Sequence, residues 1–151
     1  MAAKVTLRTS KLCFRLNYWI TRQVSQIDLN QTLVEWMDLE PILPNLDSRS
    51  LFPLIEQGNA GWDTPDEVFY RYEWYNGKWY GIRTIRTPEF KYCFNSVDID
   101  ELYDLKNDPL ELNNLINLQR YESVQKELQQ RLLLHLKKVN DPLYEKMKRR
   151  I

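Results

Sequence analysis

Glycine is scarce in this chain, at four residues in 151, and there are only two cysteines and one histidine. The cysteines stand in unrelated settings, Cys13 in L-C-F-R-L and Cys93 in Y-C-F-N. That argues against both a disulfide framework and a cysteine-based zinc site. His135, between Leu134 and Leu136, has no second metal ligand at helical spacing and reads as a solvated or capping side chain. No apolar run approaches the ~20 residues of a membrane span. Residues 12–20 come nearest, but Arg15 and Asn17 interrupt them and no small-residue cleavage site follows. No signal peptide is read, and the compartment stays unassigned. Net charge is missing too: 21 basic side chains balance 21 acidic ones, which removes any bulk electrostatic case for nucleic acid or an anionic membrane as partner.

What is present is ample core material, 43% hydrophobic with 13% aromatic. A chain of this length buries roughly 70% of its unfolded surface. Charge is unevenly placed. Residues 1–22 carry Lys4, Arg8, Lys11, Arg15 and Arg22 and no acid. This lead-in is read as a non-native start, from a late start codon, a frameshift or a truncated gene, in preference to a transit peptide.

The patterning predicts an α+β fold. Residues 24–39 are expected to be helical, capped by Asp28 with Gln31 as its reciprocal partner, and Leu29, Leu33, Trp36 and Met37 fall on one face. Residues 40–65, with Pro41, Pro44, Pro53, Pro65, Gly58 and Gly61, form a connector holding at most a turn of helix at Leu51–Ile55. Four strands follow, Glu67–Trp74, Trp79–Thr87, Phe90–Asn95 and Glu101–Leu105, with turns at Asn76-Gly77 and Pro88. Connections this short make the sheet antiparallel. A long helix at 119–139 carries Tyr121, Val124, Leu128, Leu132, Leu136 and Val139 as one apolar stripe, to be laid across one sheet face. Asn140-Asp141-Pro142 stops it. The basic tail Lys146–Arg150 is expected in solvent. The organisation is thus a lead-in (1–22), a helix with connector (23–65) and an α+β subdomain (66–151).

Arg83, Arg86 and Lys91 lie on neighbouring strands and are candidates for binding an oxyanion, whose geometry a guanidinium matches. The competing reading pairs them across strands with Glu89, Glu101 or Asp104. Trp74, Tyr75, Trp79 and Tyr80, around the Asn-Gly turn and beside Lys78, read as a packed hairpin in preference to a stacking platform for a sugar or a base. An apolar setting would raise the Cys93 pKa and leave the thiol inert.

Residues 101–115, E-L-Y-D-L-K-N-D-P-L-E-L-N-N-L, say the most. Leu102, Tyr103 and Leu105 with interleaved acids suit a short strand, and Lys106-Asn107 a turn. Asp108, Pro109 and Glu111 have the spacing of a helix cap, first helical position and capping box. Asp104, Asp108 and Glu111 fit such capping better than a metal site. The stretch also resembles the C-terminal hallmark of the sulfatases, E-L-Y-D-L-x-x-D-P-x-E-x-x-N-L. Three upstream blocks resemble the same family in order: Val24–Leu33, Asp47–Ile55, and Arg83-Thr84-Ile85-Arg86-Thr87 with Phe90-Lys91-Tyr92. Gln31 and Ser48 depart from its usual Pro and Gly. The resemblance runs over about residues 22–140.

The resemblance implies the C-terminal subdomain of an alkaline-phosphatase-like sulfuric ester hydrolase. Complete enzymes of that kind use a formylglycine made in a C-x-P-S/A-R motif and a divalent cation, usually Ca²⁺, held by Asp and Asn. Neither Cys13 nor Cys93 has that setting, so no catalytic or metal-binding residue carries over and no cofactor is expected in this chain. The expectation is a sulfatase C-terminal fragment, inactive alone, that buttresses a missing large domain and shapes one wall of its cleft. A sulfated sugar or aryl sulfate would be substrate only in the complete enzyme. Two other readings compete. One is a repurposed interaction module that binds a separately encoded partner through the apolar face of helix 24–39. The other is a single-strand nucleic-acid binder, against which the zero net charge counts.

Overall fold

The structure, a computed structural model, describes residues 20–40, 48–62, 65–75 and 77–151, with the backbone alone at positions 74, 75, 78 and 79. The lead-in through residue 19 with Cys13, the prolines at 41 and 44, Asn76 and most of the aromatic cluster around it therefore lie outside the described residues. The chain divides into two compact units, residues 1–66 and 67–151.

In the first unit, α1 spans Gln26–Trp36 and α2 spans Phe52–Gln57, followed by a 3-10 turn at Gly58–Gly61. Helix α1 lies within the expected 24–39 range but starts before the residue expected to cap it. Ser25, in extended conformation, is the N-cap, and its N–H donates to the Asp28 carboxylate at 2.8 Å. Asp28 is thus the reciprocal member of a capping box, three residues inside the helix, not the cap itself. It is drawn inward because it also accepts the Arg49 N–H at 2.8 Å and pairs with the Arg49 guanidinium at 3.6 Å. The Thr32 hydroxyl donates to the Asp28 carbonyl and accepts from the Leu51 N–H. Residues 49–51 are thereby held along one side of α1. Arg49 also lies 3.7 Å over the Trp62 ring, whose Nε1 donates to the Ser50 carbonyl. Gly61 is required by crowding: a Cβ there would sit 2.0 Å from the Pro53 carbonyl oxygen.

The second unit is the expected four-stranded antiparallel sheet under a long helix. Strands β1 (Val68–Tyr75), β2 (Lys78–Arg86), β3 (Phe90–Asn95) and β4 (Glu101–Asp104) pair in sequence order. The register sets Phe69 beside Ile85, Ile85 beside Tyr92, and Tyr92 beside Leu102 in one row. Helix α3 (Glu122–Lys138) lays Leu128, Leu132 and Leu136 on that row, and the short α4 (Tyr144–Lys148) adds Met147. Each buried Leu of this kind contributes roughly 1.5–3 kcal/mol over its exposed state.

Some details add to the sequence reading and others differ from it. His135 is half-buried, and its ring stacks on Phe69 at 3.9 Å between centroids, with planes 2° apart. The basic tail is exposed at Lys146, Lys148, Arg149 and Arg150, as its sequence suggests, but it is also anchored. Arg150 donates to the Asn95 carbonyl at 2.7 Å, pairs with Asp100, and lies 4.5 Å over the Phe94 ring. The D-P-L-E stretch starts no helix, because Glu111 takes a left-handed backbone (φ 55°). The turn is organised by Asp104, which accepts from the Lys106 and Asn107 N–H groups and from the Asn107 side chain. Asp108 in turn accepts from the backbone and side chain of Asn113. The segment after this turn folds back on the outer edge of β4. The Leu102 N–H donates to the Asn114 side-chain oxygen at 3.0 Å, and the Leu115 N–H donates to the Leu102 carbonyl at 2.8 Å.

Candidate functional site

Side chains alternate across a strand, so Arg83 and Arg86, three positions apart on β2, belong to opposite faces of the sheet. The three candidate cations are therefore divided between two clusters.

Arg83 lies on the helix side, opposite Phe94 in the register, and is 2% exposed. All three guanidinium nitrogens donate: Nε to Asp141 at 2.7 Å, Nη2 to Glu73 at 2.7 Å, and Nη1 to the Ile82 carbonyl at 3.0 Å. Asp141 lies two residues past the C-cap of α3, Val139, and Glu73 lies at an irregularity in β1. A buried guanidinium is tolerable here because acids and a carbonyl match every nitrogen.

Arg86 and Lys91 are neighbours in the β2–β3 register on the face opposite α3, and Tyr103 is the next residue in that row. Glu111 reaches both: one carboxylate oxygen pairs with Lys91 and the other lies 3.6 Å from Arg86. Burial alone would pull the Lys91 ammonium down, but its hydrogen bond to Glu111 and its electrostatic interactions with Cys93, Tyr70 and Glu111 raise it overall. Tyr70 is raised by burial, against the pull of Lys91 and Arg86. Lys91 stands 5.6 Å from the Tyr103 ring centre, and Tyr103 is raised by burial and by Glu101. The acids expected to pair with these cations do other work. Asp104 is turned into its own turn, and Glu101 lies opposite Cys93.

The real partners, Glu73, Glu111 and Asp141, lie on a bulged strand, an inverted backbone position and a helix terminus. Strand alternation does not reach such places. The assignment of Arg83 and Arg86 to opposite faces was legible from their odd spacing.

The Cys93 thiol is pushed up by burial, and the Thr84 hydroxyl lies 3.3 Å from its sulfur. It is therefore a poor nucleophile. Among the described residues, no group of three His, Cys, Asp or Glu side chains comes together to hold a metal ion. These residues do not fit a calcium site. Among the described residues, no helix is long and apolar enough to cross a membrane.

Comparison with known proteins gives a consistent result. The family model for the C-terminal region of N-sulphoglucosamine sulphohydrolase matches residues 14–138. An uncharacterised sulfatase of Escherichia coli is 33% identical over 124 residues, covering 79% of this chain and 23% of that protein. The N-acetylglucosamine-6-O-sulfatase of Bacteroides thetaiotaomicron is also 33% identical, over 126 residues, covering 77% of this chain and 22% of the relative. A solved structure holding D-glucosamine-2-N,6-O-disulfate as substrate superposes with a TM-score of 0.63 at 32% identity, over 76% of this chain and 24% of that one. A glycosaminoglycan 2-O-sulfatase superposes with a TM-score of 0.64 at 23% identity, a likeness of fold. This chain spans between 22% and 31% of the length of the first three curated relatives it matches.

Proposed function

This chain belongs to the sulfatases, as their C-terminal domain, and from that premise we propose that it supports and completes a sulfate-ester hydrolase without carrying out the chemistry itself. Its role is to buttress an α/β catalytic portion and to form one wall of the substrate cleft. The parent reaction is hydrolysis of a sulfate ester. The names of the relatives, one an N-acetylglucosamine-6-O-sulfatase, favour a sulfated amino sugar as its substrate.

One observation carries the reading: the candidate cations are held by acids of the same subdomain, with no nucleophile or metal cluster beside them among the described residues. Such an arrangement orients charge at a surface and does not cleave a bond. Arg86, 39% exposed on its side chain and only loosely paired at 3.6 Å, is the cation we assign to a sulfate group. Lys91 stands behind it through the shared Glu111. Arg83 fixes the end of α3 to the sheet.

The test is turnover of a chromogenic aryl sulfate by the purified chain with added Ca²⁺. None is expected. Turnover that co-elutes with the chain through two orthogonal columns overturns the proposal.

A further inference from the structure

Glu111 is the inward member of an outward segment. Pro109, Leu110 and Leu112 are all exposed, the two leucines at 76% and 75%, while the Glu111 side chain is only 26% exposed. Its N–H bonds inside the turn, to the Asp108 carbonyl at 3.0 Å. Its backbone is left-handed, φ 55°, which a non-glycine residue keeps only where its surroundings fix it. Here charge fixes it: one carboxylate oxygen pairs with Lys91 and the other faces Arg86. That carboxylate is the tie between residues 109–112 and the sheet.

The same two cations suit an oxyanion from outside. They stand side by side in the β2–β3 register, and Glu111 bridges them as one oxyanion would. The contact with Arg86, at 3.6 Å, is longer than a hydrogen bond, so among the described residues its guanidinium N–H groups remain for another acceptor. Tyr70 is on the same face, opposite Thr84, two positions along β2 from Arg86, and is 45% exposed. Its phenol feels the charge of both Lys91 and Arg86. A sulfate monoester carries a single negative charge, as the Glu111 carboxylate does, so exchanging one for the other leaves the charge of the cluster unchanged.

We propose that Glu111 is a built-in stand-in for a sulfate group: a sulfated sugar displaces it from Arg86 and Lys91, sets its ring against Tyr70, and frees residues 109–112 from the sheet. The inference rests on the assignment of Arg86 to a sulfate under the proposed function, and adds how that site is regulated. Without ligand the site is closed by the protein's own carboxylate. A ligand opens it by outcompeting that carboxylate, and the signature turn is released as the site fills. An internal competitor lowers the apparent affinity for the ligand, so removing it raises that affinity. Free sulfate brings the same oxyanion without a ring, and Tyr70 is the residue that separates the two.

The test is calorimetric titration of the purified chain with glucosamine 6-sulfate, inorganic sulfate and unsulfated glucosamine. Wild type, Glu111→Gln, Arg86→Gln and Tyr70→Ala are compared, and urea melts confirm that each is folded. Glu111→Gln should bind the sulfated sugar roughly tenfold more tightly than wild type, because the competitor is gone. Arg86→Gln should abolish that binding, and unsulfated glucosamine should not bind. Tyr70→Ala should weaken the sulfated sugar and leave inorganic sulfate unchanged. Amide exchange at residues 110–112 should quicken when the wild type is saturated with the sulfated sugar, and be quick from the start in Glu111→Gln. Equal affinity in Glu111→Gln and wild type, with binding still lost in Arg86→Gln, overturns the stand-in and leaves Arg86 assigned to a sulfate. Exchange at 110–112 that saturation leaves unchanged overturns the release of the turn. Inorganic sulfate bound as tightly as the sulfated sugar overturns the sugar as occupant. Binding that Arg86→Gln leaves intact, or that is absent from both wild type and Glu111→Gln, removes the assignment on which the inference rests.

Discussion

Arg83 and Asp141 meet at 2.7 Å across 58 residues of chain, with side chains only 2% and 3% exposed. The pair joins the middle of the sheet to the residue where α3 has just ended. Removing Arg83 leaves the Asp141 charge buried without its match, which costs about 3–5 kcal/mol, and removing Asp141 leaves Arg83 with Glu73 alone, a smaller loss. Arg83→Met and Asp141→Asn are each expected to lower the urea midpoint by a corresponding amount. A double replacement by apolar side chains should recover part of the loss. Equilibrium denaturation of the three variants checks this, and midpoints within error of the wild type would remove the pair as a structural anchor.

Asp104 organises the turn after β4, and its carboxyl lies below the usual carboxylate range. The causes are the Asn107 side chain first, then the Asn107 and Lys106 backbone N–H groups. A depressed folded-state pKa contributes stability that is present above the unfolded value, about 3.9, and is lost as pH falls through the folded one. Unfolding free energy should therefore decline as pH drops below about 4. Asp104→Asn should flatten that decline. Urea melts at pH 3, 4 and 6 measure it.

Tyr92 is pushed up to about 12 by burial, with the Gln129 hydrogen bond opposing the shift. Its hydroxyl donates to Asp100 at 2.6 Å and receives from Gln129 at 3.3 Å. A phenol whose pKa is raised on folding contributes stability that is complete below the unfolded value, about 10, and disappears as pH rises through the folded one. Alkaline difference spectra should show a phenolate that forms later than those of Tyr70 and Tyr103, themselves raised, and Tyr92→Phe should delete that last step. The variant should also lose roughly 1–2 kcal/mol, since Asp100 and Gln129 each forfeit a partner.

Gly61 admits no side chain, because a Cβ would overlap the Pro53 carbonyl. Gly61→Ala should destabilise the first unit by about 1–3 kcal/mol through forced displacement of packed backbone. Hydrogen exchange should rise in 52–62 and stay unchanged in α3. Exchange that rises equally in both would place the effect elsewhere.

How far the sequence disclosed the fold depends on the distance over which each signal acts. Leu128, Leu132 and Leu136 announced their helix because a helix repeats every 3.6 residues, and all three are buried as the spacing implied. The strands were legible to within a residue or two, since alternation and turn residues are local. The start of α1 was misjudged because S-x-x-D and D-x-x-Q are both capping patterns. The choice fell to Arg49, 21 residues away in sequence. The missing helix after Asp108 has the same kind of cause: Glu111 is held by Lys91 and Arg86, 20 and 25 positions earlier, and its backbone is inverted as a result. In the candidate site, residue types were visible and pairings were not, because Glu111 and Asp141 come from beyond the strands and Glu73 from an irregular stretch of β1.

The fold-back over β4 has one more effect. Leu102 is the one residue of that strand whose outward amide and carbonyl are both already engaged, by Asn114 and Leu115. A stray extended peptide arriving from solution finds neither group there on which to start a ladder. The signature loop thus acts as a stopper against strand recruitment, and Asn114→Ala, by uncovering one amide, opens that flank to self-templated polymerisation.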